Sequence, residues 1–196
     1  MSFFEFNESA AKQADAKGGI ETGVYDATIN TVSSTVASTG TKGMDFSFDL
    51  EDGRKAIVYG VWYEKPDGTK LFNYDIINSL LGIVKAKNLT PYDKTIETKD
   101  GKKIVQAFKE LDSKKVKVAL QIEKDVYNGE ERDRLNIYGF FAESGHSFSE
   151  LSVGSEPKKI EYVKKNLKDK FSKEWKKFNA EVESFANDSD SSESLL

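Results

Sequence analysis

The sequence predicts a mainly β fold that carries a few helices, and three observations predict it. Aromatic residues make up 12% of the chain, with 13 Phe and 8 Tyr against 2 Trp, a composition that suits pleated strands better than a helical bundle. Three successive segments read as strands, the first rich in β-branched residues and the second strictly alternating; the spacing then turns helical once, and two further strand-like segments follow. At 196 residues the chain can bury one core, and with no Cys and one His it has neither disulfides nor a multi-His zinc site to help it. Three strands, a helix and two strands is the element order of a five-stranded OB-type barrel, in which the helix sits between strands three and four. An α+β sandwich with the last helix packed across an antiparallel sheet is the alternative.

Residues 1–20 mix Ala, Lys, Gln and Asp with a Gly18-Gly19 pair and read as a flexible N-terminal arm, whose Phe3, Phe4 and Phe6 can dock on the body. The OB-type domain is expected over residues 21–157. Its first strand runs from Thr22 to about Ser33 and is rich in β-branched residues. The second alternates strictly, with Met44, Phe46, Phe48 and Leu50 on one side and Asp45, Ser47 and Asp49 on the other. Glu51-Asp52-Gly53 turns the chain into a third strand, Arg54 to Tyr63, which Lys65-Pro66-Asp67-Gly68 ends. Gly60 inside that strand signals a bulge that re-aims the residues after it, which leaves open whether Tyr59 and Tyr63 or Trp62 face outward.

Ile76, Ile77, Leu80, Leu81 and Val84 then fall at helical spacing within Asn73–Lys87, with Asn73 as the N-cap. A polar connection through Pro91 and Asp100-Gly101 leads to a short element at Ile104–Leu111. The fourth barrel strand, Lys115–Glu123, points Val116, Val118, Leu120 and Ile122 inward. The fifth, Arg132–Phe141, sets Leu135, Ile137 and Phe141 on one face and Arg132, Arg134, Asn136, Tyr138 and Phe140 on the other. A C-terminal amphipathic helix is expected over 158–186, because Ile160, Val163, Leu167, Phe171, Trp175, Phe178, Val182 and Phe185 form one stripe. That stripe packs on the barrel or on a second copy, which makes a homodimer possible. Residues 187–196 are Asp- and Ser-rich and are expected to be a disordered acidic tail.

The net charge of −4 is segregated: residues 158–177 carry +6, residues 181–196 carry −5, and residues 1–157 carry −5. A basic segment beside an acidic end can attract itself or present separate surfaces to separate partners. No apolar run approaches the roughly 20 residues of a membrane span, and the N-terminus lacks a basic-then-apolar signal. A soluble, cytoplasmic protein is the expectation, with no membrane partner.

OB barrels hold single-stranded nucleic acid by stacking bases on aromatic rings while cations follow the phosphates. The last strand offers that mixture in Arg132, Arg134, Tyr138 and Phe140, with Asn136 able to bond a base edge. The third strand offers Tyr59, Trp62 and Tyr63 as rings, with Arg54 and Lys55 near its start. Lys115 and Lys117 project from the fourth strand, and Lys42 lies in the turn before the second. Taken singly, a strand aromatic is as readily a core residue and an exposed lysine as readily a solvated one. The Arg132, Arg134 and Tyr138 face is the better signal, because a ring beside two guanidiniums serves packing poorly.

Gly23-Val-Tyr-Asp-Ala-Thr-Ile29, Phe72-Asn-Tyr-Asp-Ile-Ile-Asn-Ser-Leu-Leu81, Leu135-Asn-Ile-Tyr-Gly-Phe-Phe141 and Gly145-His-Ser-Phe-Ser-Glu150, in that order and ahead of the acidic end, resemble the small single-stranded DNA-binding proteins of bacteriophages. The likeness spans about residues 20–150. It implies an OB-fold protein without enzymatic activity or cofactor, which coats exposed strands during phage DNA replication, recombination and repair. It also implies that the tail, here Asp188, Asp190, Glu193, Leu195 and Leu196, contacts replication or recombination proteins. The chain departs from such tails by ending in Leu-Leu where Phe is common.

Two other readings compete. An enzyme would have to be built on His146, which sits in a Ser-Gly-His-Ser turn, or on Asp45, Asp49 and Glu51 holding Mg²⁺; no phosphate-cradling GxxxxGK[ST] motif is present. A protein-interaction or virion-assembly module would oligomerise through the stripe of the last helix.

Overall fold

A computed structural model describes residues 19–98 and 101–180. The first described elements form an antiparallel meander of β1 (Gly23–Val36), β2 (Lys42–Leu50) and β3 (Lys55–Glu64). It continues through α1 (Asn73–Ile83), a hairpin of β4 (Pro91–Thr98) and β5 (Gly101–Phe108), and a long hairpin of β6 (Lys115–Tyr127) and β7 (Glu130–Phe141). Two short helices come next, α2 (Phe148–Val153) and α3 (Lys158–Asn166), then β8 (Lys170–Phe171).

β1 organises the sheet. One edge pairs with β2 from Ala27 to Val36, while the other pairs first with β6, Gly23 opposite Leu120 to Thr28 opposite Lys115. A bulge at Asn30 bends the strand, and its free edge passes from β6 to β5, where Ser33 lies opposite Ala107. The result is an open, predominantly antiparallel sheet of eight strands, in which β3 and β7 lie against one another with no hydrogen-bonded ladder. The expected order of three strands, helix and two strands is present, with the β4–β5 hairpin inserted after the helix. Residues 91–98 fall in the expected polar connection but form a strand, which buries almost nothing and satisfies its backbone by pairing with β5.

The inner face of the sheet is the core. Ile29, Val32, Phe46, Phe48, Val58, Val116, Val118 and Leu120 are buried there, and Leu80 of α1 and Leu111 close over them. Phe46 and Phe48 stack at 5.8 Å, and Phe140 packs against both at 5.8 and 6.2 Å. Each such ring contributes about 1.5–3 kcal/mol on burial. Asn73 does not cap α1: it is the first helical residue, and its side-chain amide donates to the carbonyl of Trp62 at 3.1 Å, fastening the helix to β3. Ser147 and Glu150 form a reciprocal capping box that starts α2.

A second, smaller core lies on the outer face of β6 and β7, where Ile160 and Val163 of α3 cover Ala119 and Phe141. The expected continuous helix over 158–186 is interrupted. Leu167 is extended, β8 runs parallel to β6 with Glu123 opposite Lys170, and helical backbone resumes at 173–180. The reason is an edge the sequence pattern does not reveal. β1 leaves β6 at Leu120, so the next residues of β6 lack a partner on that side. The Ser172 N–H bonds the Lys124 carbonyl at 2.9 Å, and Thr22 Oγ1 accepts the Ile122 N–H at 2.8 Å while donating to Asp169 at 2.5 Å. Ser172 then accepts the Trp175 N–H at 3.0 Å and restarts the helix. The expected N-terminal arm through residue 18, the expected continuation of the helix over 181–186 and the tail residues Asp188, Asp190, Glu193, Leu195 and Leu196 lie outside the described residues. No helix among the described residues is long and apolar enough to cross a membrane.

Candidate nucleic-acid interface

Gly60 does form a bulge. Met44 pairs with Val61 and Phe46 with Val58, so β3 uses three steps where β2 uses two. Gly60 takes φ +64°, a left-handed conformation that suits glycine, and Asp45 accepts its N–H at 2.7 Å. The inward row therefore runs Ala56, Val58, Val61, and the outward row Ile57, Tyr59, Trp62. This settles which rings share a face: Tyr59 and Trp62 point out together, while Tyr63 packs against the core. Tyr59 is 72% exposed. Trp62 is half-buried because its indole lies over two glycines; a Cβ on Gly43 would stand 2.5 Å from the ring and one on Gly60 2.9 Å. A side chain at either position would lift the ring from its bed.

On β7, Arg132, Arg134, Asn136 and Tyr138 share the outer face as expected. Phe140 does not. Leu120 pairs with Ile137 and Ala119 with Gly139, so Tyr138 is an extra residue that shifts the alternation by one. Phe140 consequently turns into the main core, 3% exposed, and Phe141 turns out beneath α3. A buried ring cannot stack on a base, and Phe140 is removed from the site.

The cations are largely committed to carboxylates. Arg132 donates to Asp125 at 2.8 and 3.1 Å and lies over the Tyr127 ring at 4.6 Å, while Arg134 approaches the same carboxylate at 3.9 Å. Arg132, followed by the Ser172 hydroxyl, holds the Asp125 carboxyl below the usual range. Glu123 accepts from Asn136 at 3.0 Å and pairs with Lys170 at 3.2 Å. Arg54 forks onto Asp52 at 2.6 and 2.9 Å and lies over Tyr25 at 5.5 Å. Lys117 pairs with Asp26. Lys42 and Lys70 converge on Glu64, and their hydrogen bonds pull its carboxyl down to about 2. Lys55 and Lys115 are exposed and make no ion pair among the described residues.

Two features escaped the sequence reading. The bed of Gly43 and Gly60 under Trp62 had only the Gly60 bulge as its signal, and Lys70, placed by the isolated bridge to Glu64, had none. Two of the three acids considered for Mg²⁺ have structural duties: Asp45 holds the bulge, and Asp49 accepts the Asn30 amide at 2.8 Å. Among the described residues no three His, Cys, Asp or Glu side chains are grouped to hold a metal ion. His146 stays within its turn, its Nδ1 2.9 Å from the Ser144 hydroxyl. The chain matches no family model, and no curated protein sequence matches it significantly.

Proposed function

We propose that the protein binds single-stranded DNA without regard to sequence, in phage DNA replication, recombination and repair. It does so as an OB-type barrel whose β3–β7 seam is unzipped. The supporting observation is the pair Tyr59 and Trp62, brought outward together by the Gly60 bulge on the β2–β3 face. OB barrels use that face for oligonucleotides. Bases stack on the two rings, and stacking tolerates any sequence because every base has a π-face. Lys55 and Lys115 are available to phosphates at once, whereas Lys42, Lys117, Arg54, Arg132 and Arg134 exchange a carboxylate for a phosphate. That exchange releases fewer counterions for each phosphate bound, so the salt dependence of binding is shallow for a protein of this class. The acidic segment with Asp188, Asp190, Glu193, Leu195 and Leu196 serves a replication or recombination partner.

Fluorescence anisotropy with a labelled dT oligonucleotide and its duplex tests this reading. Preference for the single strand is expected, and Tyr59→Ala or Trp62→Ala each cost about 1–3 kcal/mol. Equal affinity for duplex, or a double variant that binds like the parent while remaining folded, refutes it.

A further inference from the structure

The β6–β7 hairpin and α3 enclose a cleft of about 250 Å³ that the sequence reading did not foresee. Two tyrosines from different elements line it: Tyr138, on the outer face of β7 at its bulge and 43% exposed, and Tyr162 of α3, 66% exposed. Val163 and Leu167 form its apolar side, and Gln121, Asn166 and Lys168 its polar side. The Gln121 amide N–H donates to the Lys168 carbonyl and the Asn166 amide N–H to the Tyr162 carbonyl, each at 2.8 Å. Both amide oxygens remain as acceptors with no partner among the described residues. Lys158, Lys159, Lys165 and Lys168 make no ion pair among the described residues, in contrast to Arg132 and Arg134 of β7, which share the Asp125 carboxylate.

We infer that this cleft is a nucleotide subsite, which takes one unpaired base of a bound DNA strand between Tyr138 and Tyr162 and its phosphate at Lys168. The inference rests on the single-strand-binding reading and adds a second site to it, away from the β2–β3 face. Every base carries at least one N–H donor, so two amide acceptors hold any of them, while the rings supply stacking. Lys168 supplies positive charge at the cleft itself, whereas Arg132 and Arg134 are held at the Asp125 carboxylate.

The test uses the full-length protein and dT oligonucleotides carrying 5-iodouracil. Tyr162→Ala should weaken binding about 5- to 150-fold, the equivalent of losing one stacked base. Tyr162→Phe should bind like the parent, Lys168→Glu should weaken binding, and ultraviolet cross-links should map to Tyr138 or Tyr162. Tyr162 is exposed, and equal melting temperatures will establish that the variants fold. If Tyr59→Ala weakens binding but Tyr162→Ala does not and no cross-link falls in the cleft, the subsite is overturned and the main reading stands. If the parent binds no single strand, both fall. Tighter DNA binding by Tyr162→Ala also overturns the subsite, because the cleft then holds a competing acidic segment such as residues 181–196.

Discussion

Gly43→Ala perturbs the candidate stacking platform by a single methyl group. In the structure the new Cβ falls 2.5 Å from Cε3 and 2.9 Å from Cζ3 of Trp62, and 3.2 Å from Cγ2 of Thr35. Carbon atoms rest at about 3.5–4.0 Å, so the indole must move outward by about 1 Å. The backbone of Gly43 is outside the left-handed region, and alanine adopts it without strain. Overpacking in a closed core costs about 1–3 kcal/mol, but Trp62 is half-exposed and can tilt away. Removing a glycine also stabilises by about 0.4–1 kcal/mol through the unfolded chain. The two contributions oppose one another, and the net change in stability should stay within about 1 kcal/mol. The ring, not the fold, bears the effect. In a Trp175→Phe background, where Trp62 alone emits, Gly43→Ala should shift emission to the red and raise quenching by acrylamide. Affinity for dT oligonucleotides should fall toward that of Trp62→Ala. Unchanged emission would show that the indole is not bedded on Gly43. Shifted emission with unchanged affinity would show that Trp62 is not a platform.

Asp125→Asn frees Arg132 and Arg134 from their shared carboxylate; single strands should bind more tightly, with log K against log salt steeper by about 0.7 for each additional phosphate neutralised. Unchanged affinity and slope in a salt titration would remove the β7 arginines from the interface. Glu64 and Glu150 titrate at about 2 in the fold against an ordinary 4.5. Lys42 and Lys70 hold Glu64 down, whereas for Glu150 burial opposes the shift and the N–H groups of Ser147 and Lys159 overcome it. The unfolded chain therefore binds more protons below pH 4.5, so the stability these carboxylates supply is complete above 4.5 and is lost as pH falls toward 2. Denaturant titrations at successive pH values should trace that course, more shallowly for Glu64→Gln. Phe140→Ala should cost about 3–5 kcal/mol of stability by opening a cavity against Phe46 and Phe48, while the folded fraction binds DNA like the parent. A loss of affinity without a loss of stability would return Phe140 to the interface.

The faces of the strands were legible wherever the alternation is unbroken. Met44, Phe46, Phe48 and Leu50 turn inward, as do Val116, Val118 and Leu120, because a period of two comes directly from the pleat. Arg132, Arg134, Asn136 and Tyr138 keep one face for the same reason. The reading failed where a bulge shifts the phase. Gly60 announced its bulge by being glycine in a strand, but which rings it turned outward depended on the register with β2. The bulge at Tyr138 carries no residue demanding a special backbone, and Phe140 and Phe141 exchanged places without warning. The 158–186 stripe is periodic enough for one helix, yet it breaks at Leu167 to pair an edge of β6 that β1 leaves free.

By itself the sequence determined the β-rich class, the order of the principal elements and the apolar rows, since these depend on local propensity and on periodicity along one segment. Only the tertiary structure decided the register of each strand, the partner of each edge and the pairing of cations with carboxylates. Those depend on residues far apart in the chain, such as Asp125 with Ser172 or Gly43 with Trp62, and their contacts exist only after the sheet has folded over its core.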